Sequence, residues 1–225
     1  MTLSRNITLS RMLLGGLILA ACGGAVHALA QGAAPGKTIT LQMPAPPEPA
    51  RVTLDHAKTG LLVLDYVDPI CKSQPKCSGQ MLPALAAFMG QARKAGVPVA
   101  YGTREQNMSK WLPEVAPQAG DIKIINTAQD RFYNTDLEKE LRAKGLTTLV
   151  MAGWKVSGSM AYTSVGAMIR NFTVVVPVDT TAASSDYETT IGFYELLNGG
   201  NANLANQPLK PNSTTLSRTD LITFQ

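Results

Sequence analysis

Apolar residues occur along this chain in two patterns, as short continuous runs and as longer stretches in which they recur every three or four positions. A continuous run is typical of a strand buried on both faces of a parallel sheet, whereas the longer spacing is typical of an amphipathic helix. The runs predict strands at residues 60–64, 97–102, 121–125, 149–152, 173–178 and 213–216. The spaced stretches predict helices at residues 82–95, 135–144, 159–170 and 186–197. Strands that alternate with helices in this order predict an α/β fold around a mostly parallel central sheet.

The first 30 residues have the composition of a secretory signal peptide. Arg5 and Arg11 are its positive residues, an apolar segment follows, and Ala28-Leu29-Ala30 forms a small-residue cleavage pattern. A second interpretation stays open, because Cys22 ends a sequence that resembles a bacterial lipobox, in which it would carry a lipid anchor. Both interpretations predict export, the first to a periplasmic or secreted location and the second to a membrane-anchored lipoprotein.

A proline-rich segment follows the predicted signal. We assign residues 31–52 to an extended tether that contains an edge strand at 38–43, and we expect residues 51–54 to pair with that strand. Residues 53–225 are enough to bury one sizeable core and too few for two comfortable domains. We therefore predict a single folded domain over residues 53–225.

The charge balance argues against a nucleic-acid partner. The formal net charge is +4, but Arg5 and Arg11 lie in the predicted signal, and the rest of the chain has 18 basic against 16 acidic residues. So small an excess is typical of an ordinary solvated surface. We therefore expect a small-molecule substrate or ligand and no nucleic acid.

Cys71 and Cys77 are the two cysteines outside the predicted signal, and a short proline-containing segment separates them. In an exported protein this spacing favours a disulfide. A metal site is the competing interpretation, but His56 is the only histidine beyond the signal, so the cysteines lack imidazole partners. We therefore predict a disulfide, and we expect no metal and no other cofactor.

Two polar residues stand directly after predicted strands, where ligands bind in open α/β sheets. Asp65 follows the run at residues 60–64 and is a candidate base or orienting group. Ser159 comes after the strand at residues 149–152 and a glycine-containing loop, at the predicted start of a helix. Unpaired backbone N–H groups and the helix dipole favour an anion or a developing oxyanion at such a position. Ser159 is therefore placed where a nucleophile would be expected.

The order of these motifs resembles that of the isochorismatase-like cysteine hydrolases, a family that includes nicotinamidases and other amidases. The matching segments are 61–65, which ends in the family's catalytic Asp; 132–137, which follows its catalytic Lys; 150–153 with Ser159, at its glycine and nucleophile positions; and 174–179, the strand after the nucleophile helix. The resemblance spans residues 53–224 and implies a Rossmann-like three-layer sandwich. It also implies a reaction in which a Cys thiolate attacks a carbonyl or amide carbon, an Asp accepts a proton, a Lys stabilises charge and backbone N–H groups form an oxyanion hole.

The sequence departs from this family at two of the three catalytic positions. The cysteine position holds Ser159, and the lysine position, judged by its spacing from Phe132, holds Asn126. Only Asp65 is retained, and we take Asp65, Asn126 and Ser159 as the candidate catalytic residues. A serine hydroxyl is a far weaker acid than a thiol and needs an adjacent base during attack. The change at Asn126 also removes a positive charge from the site.

Two lysines are candidates to replace that charge. Lys123 lies three positions before Asn126, so a regular strand would direct its side chain to the opposite face. Lys155 lies in the loop four positions before Ser159 and is the better candidate to approach Asp65. A Ser-Lys pair is a known arrangement for nucleophilic catalysis.

Two functions therefore remain open. The first is an exported hydrolase with a degenerate triad and weak or altered activity on a small amide, ester or enol ether, in which Asn126 positions the substrate. The alternative is a non-catalytic exported small-molecule-binding or interaction protein that retains the fold and the pocket. The hydrolase requires the oxygens of Asp65 and Ser159 to lie within reach of a hydrogen bond or of one bridging water. The resemblance also implies a homo-oligomer, whereas the substrate depends on loops such as residues 104–120.

Overall fold

The computed structural model describes Thr40, Gln42, residues 44–107 and residues 110–225. In this part of the chain the strands are β1 (Val52–Leu54), β2 (Thr59–Leu64), β3 (Val99–Thr103), β4 (Ile122–Ile125), β5 (Thr148–Trp154), β6 (Thr173–Pro177), β7 (Thr181–Ala182), β8 (Thr214–Ser217) and β9 (Ile222–Phe224). The α-helices are α1 (Asp68–Ser73), α2 (Leu82–Lys94), α3 (Leu137–Ala143), α4 (Ala161–Met168) and α5 (Asp186–Asn198). None of these helices is long and apolar enough to cross a membrane.

The central sheet is parallel, as the alternation of strands and helices predicts. Its strand order is β4-β3-β2-β5-β6-β8, every neighbouring pair is parallel, and β7 pairs with the last two residues of β5. β2 and β3 are joined through α2, which confirms the predicted βαβ unit. β2 is paired on both edges, with β3 and β5, and all six of its residues are buried.

Successive residues of β2 enter two different hydrophobic clusters, as the alternation of side chains along a strand requires. Leu61 and Val63 belong to the cluster that contains the buried face of α2. Leu62 and Leu64 belong to the cluster that contains the buried residues of α3, α4 and α5. The fold is therefore a three-layer sandwich with helices on both faces of the sheet, which confirms the predicted fold class.

A disulfide joins Cys71 in α1 to Cys77 in the π-helical turn that precedes α2, as the sequence predicts. Both cysteines are buried against the α2 side of the sheet. The bridge therefore ties α1, which begins three residues after Asp65, to the turn that precedes α2.

The N-terminal predictions fall mostly outside the residues that the structure describes. The predicted signal at residues 1–30, including Cys22, lies outside them, and so does most of the strand predicted at residues 38–43. The pairing of residues 51–54 with that strand therefore stays a prediction. Among the described residues, β1 pairs in parallel with β9, with Val52 opposite Ile222, a pairing that the sequence analysis did not predict. Strands of three residues carry too little periodicity for their partner to be identified from the sequence.

Candidate active site

Asp65 is the first residue after β2 and is 5% exposed. Its backbone has a φ of 58°, in the left-handed region that Asp tolerates better than most residues. One carboxylate oxygen, Oδ1, accepts a hydrogen bond from Thr103 Oγ1 at 2.9 Å, at the end of the neighbouring strand β3. The other, Oδ2, accepts from Arg131 Nη2 at 2.7 Å and from Ser159 Oγ at 2.8 Å. The carboxylate is therefore held by three donors from three different parts of the chain.

Ser159 lies in a π-helical turn, Val156–Met160, between β5 and α4. Gly158 interrupts this turn with non-helical backbone angles of φ −126° and ψ −119°, and α4, which is predicted at residues 159–170, spans Ala161–Met168. The Ser159 hydroxyl has one proton and two acceptors within reach, Asp65 Oδ2 at 2.8 Å and the Trp154 carbonyl at 3.0 Å. When the proton points to Asp65, the arrangement is that of a nucleophile hydrogen-bonded to a base.

The cation beside Asp65 is Arg131, a residue for which the sequence analysis assigned no role. Arg131 is 1% exposed, and its ion pair with Asp65 is buried. The second terminal nitrogen of the same guanidinium, Nη1, donates to Asn126 Oδ1 at 2.8 Å and to the Ala128 carbonyl at 2.7 Å. Its aliphatic part lies against Gly102, where a Cβ atom would meet the Arg131 side chain at 2.9 Å. The absence of a side chain at position 102 therefore makes room for Arg131.

These three side chains line one pocket of about 260 Å³ at the carboxyl end of the sheet. Its other lining residues are Ile70, Arg104, Asn107, Gln129, Trp154, Lys155 and Gly158. The pocket is open to solvent on one side, and Ser159 is 8% exposed. A small polar molecule can therefore enter the space that Asp65, Arg131 and Ser159 line.

The comparisons with known proteins identify the family. Residues 59–204 match the family model of the isochorismatase domain, which covers more than half of the chain. The chain belongs to the isochorismatase family. Two similar relatives are the uncharacterized isochorismatase family protein YwoC of Bacillus subtilis, 23% identical over 63% of this chain and 88% of the relative, and the ureidoacrylate amidohydrolase RutB of Methylobacterium radiotolerans, 26% identical over 67% of this chain and 80% of the relative.

Solved structures of the isochorismatase family share the fold. A cysteine hydrolase from Pseudomonas syringae superposes with a TM-score of 0.63 at 16% identity, over 77% of this chain and 94% of that structure. The N-carbamoylsarcosine amidase of Thermoplasma acidophilum superposes with a TM-score of 0.60 at 23% identity, over 72% of this chain and 97% of the amidase. The predicted family resemblance and the predicted fold are thus confirmed.

The three residues predicted for the isochorismatase-type site do not play equivalent parts in the geometry. Asp65 and Ser159 are in direct contact inside the pocket. Asn126, which follows β4, is not among the residues that line this pocket in the described part of the chain. Its Nδ2 donates to the carbonyls of Asp130 and Tyr133 at 2.9 and 3.1 Å, and its Oδ1 accepts from Arg131. Asn126 therefore contacts the cation of the site rather than the space for a substrate.

The prediction that Lys155 approaches Asp65 is wrong. Lys155 lines the pocket, but its Nζ forms an ion pair with Glu188 in α5. Glu188 also accepts a hydrogen bond from Ser157 Oγ at 2.7 Å, and the bonds from Lys155 and Ser157 lower the pKa of Glu188. Lys123 is exposed on β4 and lines a different surface depression. The positive charge beside Asp65 is supplied by Arg131 alone among the described residues.

Backbone donors near Ser159 are only partly available for an oxyanion. The N–H groups of Gly158 and Met160 both donate to the Lys155 carbonyl, at 3.0 and 3.3 Å. An oxyanion hole at this turn therefore requires donors other than these two.

The sequence signal that could have indicated Arg131 is modest: it is an arginine in a polar loop that also contains the family-like segment 132–137.

Proposed function

We propose that this chain hydrolyses a small amide, with Ser159 as the nucleophile and Asp65 as the base, and that its rate is low for the isochorismatase family. The observation that carries the proposal is the 2.8 Å contact between Ser159 Oγ and Asp65 Oδ2 in an open pocket. The relatives named as a ureidoacrylate amidohydrolase and as an N-carbamoylsarcosine amidase support an amide as the substrate.

The first half-reaction forms an acyl ester on the serine. Ser159 Oγ forms a bond to the amide carbon while its proton moves to Asp65 Oδ2, and the electron pair of the C=O bond becomes an oxyanion. When this intermediate collapses, the C–N bond breaks and the amine leaves with the proton held by Asp65. In the second half-reaction Asp65 takes a proton from water, the hydroxide attacks the ester carbon, and Ser159 leaves with that proton, releasing a carboxylic acid.

Two features of the site support a low rate. A hydroxyl is a much weaker acid than the thiol of the family, so its proton must be removed during the attack itself. The Trp154 carbonyl also competes with Asp65 for that proton, at 3.0 against 2.8 Å. A fraction of the molecules therefore holds the hydroxyl in an unproductive orientation.

The test is turnover of a panel of small amides by the purified protein and by three variants. Ser159→Ala is expected to abolish turnover, and Asp65→Asn to lower kcat by about 10²–10⁴-fold, which is the usual contribution of a general base. Ser159→Cys restores the family nucleophile and is expected to raise kcat on the same amide. Thermal unfolding of each variant shows that it is folded. Turnover that survives in Ser159→Ala would contradict the proposal.

Non-catalytic binding is the second candidate, and the fixation of Asp65 favours it. Thr103 and Arg131 already hold both carboxylate oxygens, so the site is rigid and its ionic groups are compensated before any ligand enters. This alternative predicts that no amide in the panel is turned over by the unmodified chain, while small amides or carboxylates raise its thermal unfolding temperature.

We also propose that the protein is exported. The disulfide between Cys71 and Cys77 supports this, because cytosolic thiols are normally kept reduced. Expression of the full chain in a Gram-negative host, followed by N-terminal sequencing and mass analysis, tests the two routes. A chain that begins at Gln31 in the periplasm supports soluble export, and a lipidated Cys22 supports anchoring. A full-length chain confined to the cytosol would contradict both.

A further inference from the structure

We propose that Arg131 has taken over the task of the family's catalytic lysine as the cation beside Asp65, and that Asn126 at the former lysine position holds Arg131 in place. This inference rests on the proposed function, since it assigns a further catalytic residue and a positioning residue to the same hydrolysis. It thus moves the cation of the site five positions along the chain.

Arg131 lies next to the groups that would react. Arg131 Nη2 and Ser159 Oγ donate to the same oxygen, Asp65 Oδ2, at 2.7 and 2.8 Å. During attack the negative charge leaves the Asp65 carboxylate and appears on the substrate oxygen. A cation that borders both places stays compensated before and after the proton moves, whereas an isolated buried cation is strongly unfavourable.

The burial of Arg131 is the second step of the argument. Arg131 is 1% exposed, and its Nη2 and Nη1 are bonded to Asp65 and to Asn126. Its Nε is buried without a hydrogen-bond partner among the described residues and is closed to solvent, so a substrate does not reach that atom. A charge that is removed from water interacts more strongly with a neighbouring charge than an exposed one does. Arg131 therefore acts on the reaction through its positive charge and through its bond to Asp65 Oδ2.

The contacts of Asn126 carry the third step. Its amide nitrogen closes the loop by donating to the carbonyls of Asp130 and Tyr133, and its amide oxygen accepts from Arg131 Nη1. Its backbone N–H donates to the Thr103 carbonyl at 3.2 Å, which ties the start of the loop to the end of β3. Asn126 is therefore a positioning residue, because it orients the guanidinium without touching the substrate space.

Helix α4 holds the other side of the same loop. The Thr163 hydroxyl accepts a hydrogen bond from the Arg131 backbone N–H at 3.2 Å and donates to the Gln129 carbonyl at 3.1 Å. Asn126 and Thr163 thus fix the main chain on both sides of Arg131. The direction of the Arg131 side chain follows from this fixed loop.

The test combines kcat on an amide with the dissociation constant of phenylboronic acid. A boronic acid accepts the Ser159 oxygen at boron while the serine proton passes to Asp65, and the anionic adduct imitates the tetrahedral intermediate. Arg131→Lys keeps the charge but removes the planar fork that bonds Asp65 and Asn126 at once, and we expect it to lower kcat by about 10²-fold, as for a misplaced catalytic group. We expect it to weaken boronate binding by a similar factor. Arg93→Lys is the matched control, since Arg93 pairs with Asp121 outside the pocket, and it should change neither quantity.

A relocation experiment separates a catalytic role from a structural one. Arg131→Met should lower kcat further than Arg131→Lys does, to a residual rate. The double variant, which combines Arg131→Met with Asn126→Lys, places a lysine at the family's position, and we expect its kcat to exceed that of Arg131→Met by at least about tenfold. Asn126→Ala should lower kcat more than it changes KM, because the cation remains but is poorly oriented.

The outcomes distinguish this inference from the proposed function. If the unmodified chain turns over no amide but binds the boronate in a manner that requires both Ser159 and Arg131, the hydrolase proposal fails, while the assignment of Arg131 as the cation that supports the Ser159–Asp65 pair stands. If the chain turns over an amide and Arg131→Lys matches it in kcat and in boronate affinity, the inference fails and the hydrolase stands. If the protein shows neither turnover nor boronate binding at Ser159, both are overturned.

Discussion

Gly166 in α4 offers a sharp test of how the loop that carries Arg131 is held. A Cβ atom at Gly166 would meet Asp130 Oδ1 at 2.5 Å and the Asp130 carboxyl carbon at 2.8 Å, closer than side-chain atoms normally approach. Asp130 directly precedes Arg131, and its Oδ1 accepts from the Phe132 N–H at 2.9 Å. The helix therefore approaches the loop closely only because residue 166 has no side chain.

Gly90 in α2 is the matched control. It is exposed within a helix, and a Cβ at this position would meet no atom within 4 Å. Gly90→Ala should raise the free energy of unfolding by about 0.5–1 kcal/mol, which is the helix-propensity difference between glycine and alanine. Gly166→Ala gains the same propensity but adds an overpacking cost of about 1–3 kcal/mol. We therefore expect the two variants to differ by about 1–3 kcal/mol, with Gly166→Ala the less stable.

Urea unfolding under oxidising conditions measures this difference. With an m-value of about 2 kcal/mol/M, the two midpoints should differ by about 0.5–1.5 M at equal slopes. A second readout is amide turnover, which should fall in Gly166→Ala because Asp130 must shift and Arg131 moves with it. Equal midpoints for the two alanine variants would refute the close packing of α4 on this loop. Unchanged turnover in a destabilised Gly166→Ala would refute the link between that packing and the site.

Three further predictions concern single contacts. Thr103→Val should lower the free energy of unfolding by about 1.5–3 kcal/mol, because it leaves a buried oxygen of Asp65 without its donor. Thr103→Ser keeps a hydroxyl at this position and should retain most of the stability of the unmodified chain in the same urea experiment. Burial raises the pKa of Asp130, so the folded protein binds a proton at the Asp130 carboxyl more tightly than the unfolded chain does. The stability that this proton contributes to the folded state therefore falls as the pH rises from the ordinary pKa of Asp through the raised one. Asp130→Asn should therefore gain stability relative to the unmodified chain across that rise, and a constant difference in unfolding temperature against pH would contradict the sign. Replacing both Cys71 and Cys77 by Ala should lower the free energy of unfolding by about 2 kcal/mol, because the bridge closes a short loop and so lowers the entropy of the unfolded chain. An unchanged urea midpoint would show that the bridge does not constrain the unfolded chain.

The parts of the fold that the sequence predicted are those with strong local signals. The run of β2 is buried on both faces, so its apolar composition and the polar Asp65 at its end could be identified without a structure. Ser159 was placed correctly after β5 because a strand, a glycine-containing loop and a helix follow one another closely. Strands β1 and β9 are only three residues long and pair across 170 positions, so nothing local indicates their partnership.

The composition of the site was predicted less well, because its charges are paired over long distances in the chain. Arg131 meets Asp65 across 66 positions, and Lys155 meets Glu188 across 33. Lys155 is close to Ser159 in the sequence and was therefore predicted as the cation of the site, but its side chain pairs with Glu188 at the start of α5. Asn126 lies in the loop that carries the cation of the site, since its Oδ1 accepts a hydrogen bond from Arg131.

The account depends most on Ser159 acting as a nucleophile that Asp65 activates. Mass mapping of the protein, quenched with acid during turnover of an activated nitrophenyl ester, tests this directly because an acyl group stays attached to the residue that attacked. We expect the acyl group on the peptide that contains Ser159, at a level that falls sharply in Asp65→Asn and vanishes in Ser159→Ala. An acyl group on another residue, or acylation of Ser159 that is equally fast without the Asp65 carboxylate, would contradict the account.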